Sequence, residues 1–199
     1  GDALDVREFV FRERMSALSE VDCAARSRNH NLPFEEIIGQ PAALTIEIGK
    51  DRTRTFRGIC CRAEQVGVAP DGLATYRISL VPSLWLSTQR RNYRIFQYMS
   101  DPDIALKLLG EWGVEHEVSF DRASYKKRKY RVQYGETDFA FISRLLEDAG
   151  ISYHFDAESI LVLSDAPHAN EPRSKVAFND AIQGVPDTEH ATGVMVGQR

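Results

Sequence analysis

The sequence predicts an α+β protein, mainly antiparallel β, with a barrel or sandwich that carries a smaller α/β insert. Three observations predict it. Apolar residues alternate with polar ones through most of the first ninety positions, Pro70-Asp71-Gly72 supplies turn chemistry between two such runs, and near Asn92 the apolar period changes to that of a helix.

In chain order, Val6 and Val10, then Val21, Cys23 and Ala25, mark two short strands. The stretch LPFEEIIGQ predicts little more than one helical turn, opened by Pro33 and stopped by Gly39. In AALTIEIGK, Ala42, Leu44, Ile46 and Ile48 share one face and Thr45 and Glu47 the other. LATYRISLV repeats the pattern with Ala74, Tyr76, Ile78 and Leu80 against Thr75, Arg77 and Ser79. Between them TFRGICCRAEQVGV is a further strand, in which Gly58 marks a bulge or a close backbone approach.

Helical periodicity then takes over. Ser100 or Asp101 caps a helix with Pro102 in its first turn, an apolar stripe of Ile104, Ala105, Leu108, Leu109 and Trp112, and a stop at Gly113. KKRKYRVQY predicts a strand with Tyr130, Val132 and Tyr134 on one side. Thr137 caps a second helix whose expected buried face is Phe139, Ile142, Leu145, Leu146 and Ala149, ending at Gly150. ISYHFD and SILVLSD predict a hairpin through Ala157-Glu158. After Pro167 a solvated loop is expected, followed by weak strand signals. Glu147 and Asp148 fall in the last helical turn, where the helix dipole disfavours acids, so a basic partner is expected, with Lys126, Lys127, Arg128 and Lys129 the obvious run.

Composition narrows the function. A net charge of −4 over 199 residues gives no general electrostatic drive toward nucleic acid or anionic membrane, and 43% hydrophobic content suits a globular chain with a sizeable core. No apolar run approaches the roughly 20 residues of a membrane span. The opening GDALDVREFVF lacks the layout of a signal peptide and reads as an intracellular start, or as one inside a longer protein. Cys23, Cys60 and Cys61 are an odd count, and adjacent strand residues point to opposite faces, so structural free thiols are expected.

No catalytic, cofactor-binding or metal-binding residue is nominated. GxSxG, HExxH, P-loop and GxGxxG patterns are absent from the chain. Glu35-Glu36 and Glu147-Asp148 are sequence neighbours that diverge on a helix, and His30, His116, His154, His168 and His190 never fall at i, i+4. His154 lies between Tyr153 and Phe155 and reads as a strand histidine. Lys126–Lys129 beside Tyr125 and Tyr130, with Arg90, Arg91 and Arg94, is the one arrangement that fits phosphate contacts beside stacking aromatics. Against it, basic residues on a strand edge serve to block aggregation, and the net charge is acidic. No nucleic-acid partner is expected.

An ordered series of residues carries a resemblance to a known family. It runs Phe56-Arg57-Gly58-Ile59; Pro82 with Leu84-Trp85-Leu86; Arg94-Ile95-Phe96-Gln97; Gln133-Tyr134 with Glu136, Asp138 and Phe139; Arg144-Leu145-Leu146-Glu147; and Gly150-Ile151. From about Leu4 to Ala166 the chain resembles the N-terminal part of VgrG proteins, the spike proteins of type VI secretion systems, which are related to phage tail hubs. The resemblance implies a phage baseplate hub-like fold: a β-barrel tube domain beginning at 1–91, an α/β insert at 92–155, and strands at 156–199 that return to the barrel and start the next segment. It implies a structural, non-enzymatic subunit of a homotrimer that docks on an Hcp-like hexameric tube, contacts baseplate proteins and helps deliver effectors. Such a protein would be cytoplasmic during assembly and then secreted or injected. By the same resemblance the chain reads as the front half of a hub, stopping before spike or effector. A late-control tail protein of a contractile phage, or a stand-alone adaptor of the same fold, are the alternative readings.

Overall fold

Strand β1 (Asp5–Arg12) opens a five-stranded antiparallel sheet of order β1-β2-β5-β4-β3, whose other members are β2 (Glu20–Ser27), β3 (Pro41–Ile48), β4 (Arg52–Val68) and β5 (Ala74–Val81). The computed structural model describes residues 4–48 and 52–169, together with the backbone of two-residue strands at 177–178 and 190–191. The long β4 slips register between Cys60 and Arg62 and again between Gln65 and Gly67. Extra residues of this kind bend a strand and raise its twist, and the sheet curls into a half-barrel. Its packing rests on Val21, Cys23, Phe56, Cys60 and Leu80, which are buried together.

Local chemistry explains these strands. In β3, Ala42, Leu44 and Ile46 are half-buried and Thr45 and Glu47 exposed, as alternation requires; the Ile48 side chain lies outside the described residues. Gly58 is a close approach and sits outside the two register slips: a Cβ built there would lie 2.2 Å from the Val81 carbonyl oxygen. Ser79 departs from the simple alternation. It is buried in the middle of the sheet because its hydroxyl donates to Asp22 Oδ1 at 2.6 Å across the β2–β5 pairing. Helix α1 (Phe34–Ile37) is the single turn expected between Pro33 and Gly39, which has φ +84°.

The second half is built around helices. Strands β6 (Arg91–Met99) and β8 (Arg128–Thr137) form an antiparallel two-stranded ribbon. Helices α2 (Asp101–Glu111) and α3 (Asp138–Asp148) pack on it and on each other. Strands β7 (His116–Ser119), β9 (Ser152–Phe155) and β10 (Leu161–Ser164) make a separate sheet of order β7-β10-β9, with β10 parallel to β7 and antiparallel to β9. The β9–β10 hairpin matches expectation, its turn held by Asp156 Oδ1, which accepts from the Glu158 and Ile160 amides at 3.0 and 2.8 Å. β10, the first strand after position 156, joins β7 and β9 instead of the five-stranded sheet. The two halves are tied by the Ser16 amide donating to the Tyr153 carbonyl at 2.8 Å and the Arg57 amide donating to Ser159 Oγ at 2.9 Å.

Helix ends follow the sequence closely. Ser100, rather than Asp101, caps α2 and accepts from the Asp103 amide; Thr137 caps α3 and accepts from the Ala140 amide at 3.1 Å. The buried face of α3 is rotated from the expected one. Asp138, Phe141, Ile142, Leu145 and Leu146 are buried, while Phe139 and Ala149 are only half-buried against the core. The true stripe follows i, i+3, i+4, i+7, i+8 from Asp138, a start that a hydrophobic count skips because its first member is charged. The partner of Asp148 is also corrected: Arg131 on β8 donates to it at 2.8 Å, and the run at 126–129 makes no ion pair with it.

Phe141 is fully buried and packs on Phe96 with ring centroids 5.6 Å apart. Phe141→Ala is expected to cost about 3–5 kcal/mol, and Phe139→Ala about 1–2 kcal/mol. Equal losses in chemical denaturation would contradict the observed rotation of the helix.

Candidate functional site

The most heavily constructed polar cluster lies where α3, α2 and the ribbon meet. Asp138 follows the Thr137 cap, so its carboxylate sits at the positive end of α3 and points inward, fully buried. It accepts from Arg90 Nε at 2.8 Å, Asn92 Nδ2 at 2.9 Å, Trp112 Nε1 at 2.9 Å and Gln133 Nε2 at 2.7 Å, and Arg90 closes an ion pair at 2.6 Å. Burial alone pushes this carboxyl up, but the donors from Gln133, Asn92, Arg90 and Trp112 outweigh it and hold it below the usual range. Gln133 spends both amide hydrogens here and on the Glu136 carbonyl, which leaves its own buried Oε1 without a partner.

Two further carboxylates complete the arrangement. Asp101, at the start of α2, is buried and takes Arg131 at 2.6 and 2.7 Å and Arg128 at 3.1 and 3.0 Å. Burial raises its pKa, and the two guanidiniums bring it down overall. Glu111, at the end of α2, receives both Arg94 nitrogens at 2.7 Å and is held low chiefly by that pair. Arg90, Arg94, Arg128 and Arg131 are thus fastened to the helices. Arg90 and Arg94 also stack over Trp112 and Phe96, at 4.5 and 4.9 Å.

This geometry redistributes the basic residues nominated from the sequence. Arg90, Arg94 and Arg128 are neutralised by Asp138, Glu111 and Asp101, so of the nominated residues Arg91, Lys126, Lys127 and Lys129 stay without an ion pair among the described residues. Tyr125 is half-buried against Phe120 and donates to Asp165 at 3.1 Å; burial and that bond push its phenol up to about 12. Tyr130 is exposed on the opposite side of the ribbon.

The other candidates are dispersed. Cys23 and Cys60 are buried and Cys61 half-buried, with burial pushing each thiol up. His30 contacts the Gly72 carbonyl at 2.7 Å and His116 the Val114 carbonyl at 2.8 Å; His168 lies in a single turn, and the His190 side chain is outside the described residues. Half-buried His154 lines an open cleft of about 550 Å³ with Glu13, Arg14, Ser119 and Ser164. Glu35 and Glu36 are exposed. Sequence reasoning named Asp138 only within the motif series and did not foresee its burial. Its position directly after a Thr cap was legible, but its donors were not.

Comparison with known proteins fixes the context. Two spike proteins of Pseudomonas aeruginosa are similar: VgrG1a at 38% identity and VgrG1c at 36%, each over 168 residues and 83% of this chain, but only 26% and 23% of their own lengths. The chain therefore spans about a quarter of these relatives. The Escherichia coli c3393 protein, described as a component of the type VI secretion system with structural similarity to T4 bacteriophage tail proteins gp27 and gp5, superposes with a TM-score of 0.75 at 25% identity over 89% of this chain and 50% of that one. A tail protein from Neisseria meningitidis shares the fold at TM-score 0.60 and 14% identity, covering 88% of this chain and 54% of its own.

Asp138→Ala is expected to cost about 3–5 kcal/mol, because it leaves a guanidinium and three neutral donors without their acceptor. Asp101, Glu111 and Asp138 all have folded-state values below the ordinary carboxylate range. Their stabilisation is therefore complete above about pH 4–5 and is lost as pH falls through the depressed values. Denaturation midpoints should hold steady from pH 7 to pH 5 and drop below about pH 4. The family model for the phage tail baseplate hub (GPD) matches residues 12–199, and the chain belongs to that family.

Proposed function

We propose that this chain is a structural, non-enzymatic part of the hub of a type VI secretion spike. The observation that carries the reading is a curled half-barrel, with β1 and β3 as its outermost strands, in a chain of the baseplate hub family. A half-barrel with two outer strands is suited to extension by further chain or by neighbouring copies. In this reading the 1–91 portion begins the tube domain and docks on an Hcp-like hexameric tube. Residues 92–155 form an α/β insert, and residues 156–199 lead toward the next segment. Three copies assemble in the whole protein, which contacts baseplate proteins and helps deliver effectors, starting in the cytoplasm and leaving through the machine. The spike proteins among its relatives favour the secretion reading over a phage particle. No helix among the described residues is long and apolar enough to cross a membrane.

The test is nucleation. Added in small amounts to a soluble Hcp-type tube protein, the chain should shorten the lag of tube assembly followed by light scattering. An unchanged lag at every ratio would contradict the tube-end reading.

A further inference from the structure

The ribbon has two unlike faces. Inward, Phe96 and Gln133 are buried against the helices. Outward, the cross-strand pairs Tyr93↔Tyr134, Ile95↔Val132 and Gln97↔Tyr130 form a continuous patch. Its exposures are high for such residues: Tyr134 78%, Tyr93 72%, Ile95 69% and Tyr130 65%. A contiguous surface of tyrosine and aliphatic side chains has the composition of the core of a protein interface.

Two more observations describe what would cover it. The backbone of β6 makes its ladder with β8, and no other backbone hydrogen bond reaches residues 92–99 among the described residues, which leaves a free strand edge beside the patch. Both ends of the ribbon are basic: Arg91 at one, Lys126, Lys127 and Lys129 at the other, none with an ion pair among the described residues. Of the nearby acids, Asp101, Asp103, Glu111, Glu136 and Asp138 are already committed to arginines, and Asp165 accepts from the Tyr125 hydroxyl.

We propose that the outer face of the ribbon, with the free edge of β6, is a docking site for an extended segment of a partner protein. That segment is apolar at alternate positions and carries carboxylates at both ends. It adds to the β6 edge by main-chain pairing, places its apolar side chains beside Tyr93 and Ile95, and meets Arg91 and the lysines with its acids. A second copy packed ribbon on ribbon sets cations against cations in either orientation, because both ends are basic. A single-stranded nucleic acid would need open ring faces, but the centre of the patch is Ile95 and Val132, and Tyr93 and Tyr134 are locked edge to face at 5.2 Å and 87°. The proposal goes beyond the hub reading and requires neither a tube nor threefold assembly.

The test is calorimetric titration of the whole chain with a synthetic peptide of alternating valine and threonine flanked by glutamates. The control is the same peptide flanked by lysines. The glutamate peptide should bind, bind less tightly as salt rises, and lose at least about tenfold in affinity on Ile95→Glu and on Lys126→Glu/Lys129→Glu. These positions are on the surface, and unchanged melting of the variants verifies that the fold is intact. Equal binding of both peptides, binding of neither, or binding indifferent to Ile95→Glu would overturn the proposal. So would preferential binding of single-stranded oligothymidylate, or a concentration-dependent oligomer that Ile95→Glu dissolves, which would give the face to a second copy. A chain that nucleates tubes yet fails this titration keeps the hub reading and loses only this one.

Discussion

Four side chains converge on a single buried carboxylate, that of Asp138. Arg90 brings the entry to β6, Asn92 the strand itself, Gln133 the inner face of β8, and Trp112 the end of α2. Removing a carboxylate from water costs several kcal/mol, whereas hydrogen bonds to a charged group contribute about 1.5–3 kcal/mol each. With four side chains donating, the balance favours the ionised, buried form, and the depressed pKa points the same way. The ribbon is short and two-stranded, a unit of marginal stability alone. It persists because Asp138, Asp101 and Glu111 bolt its arginines to the two helices while Phe96 packs between them.

That clamp has a consequence for the surface. Every arginine drawn inward is one less cation outside, and the ribbon's outer face is left apolar in the middle and basic at its ends. The half-barrel follows a different logic. Its core of Val21, Cys23, Phe56, Cys60 and Leu80 is small beside the helical core, and β1 is exposed at every position except Phe11, which is half-buried. The helical half is therefore the anchored part, and the curled sheet has two outer strands able to take further pairing.

What the sequence made legible was local. Caps at Ser100 and Thr137, stops at Gly113 and Gly150, the alternation of β3 and the Asp156 hairpin all rest on residues within a few positions of one another. What it hid was non-local. The donors to Asp138 lie from 5 to 48 positions away, and no periodicity connects them. The same holds for Asp148, whose partner Arg131 is chosen by the packing of β8 rather than by the density of the lysine run. Strand β7 has four residues and pairs in parallel with β10, which follows it by some forty positions, so neither length nor a hairpin turn announces it. Ser79 keeps the face that the alternation gives it, but its burial was not legible, because a hydroxyl counts as polar in any pattern until its acceptor, Asp22, is in view.

The most direct test of this account is the titration of the Asp138 side-chain carboxyl, followed by carbon-detected NMR from pH 7 into acid. The clamp predicts a resonance that stays ionised through the range where ordinary aspartates protonate, near pH 4, and moves only as the protein unfolds. A carboxyl that titrates at or above that range would mean that desolvation outweighs the four donors. Asp138 would then be a tolerated buried acid, and the ribbon would owe its place to hydrophobic packing alone.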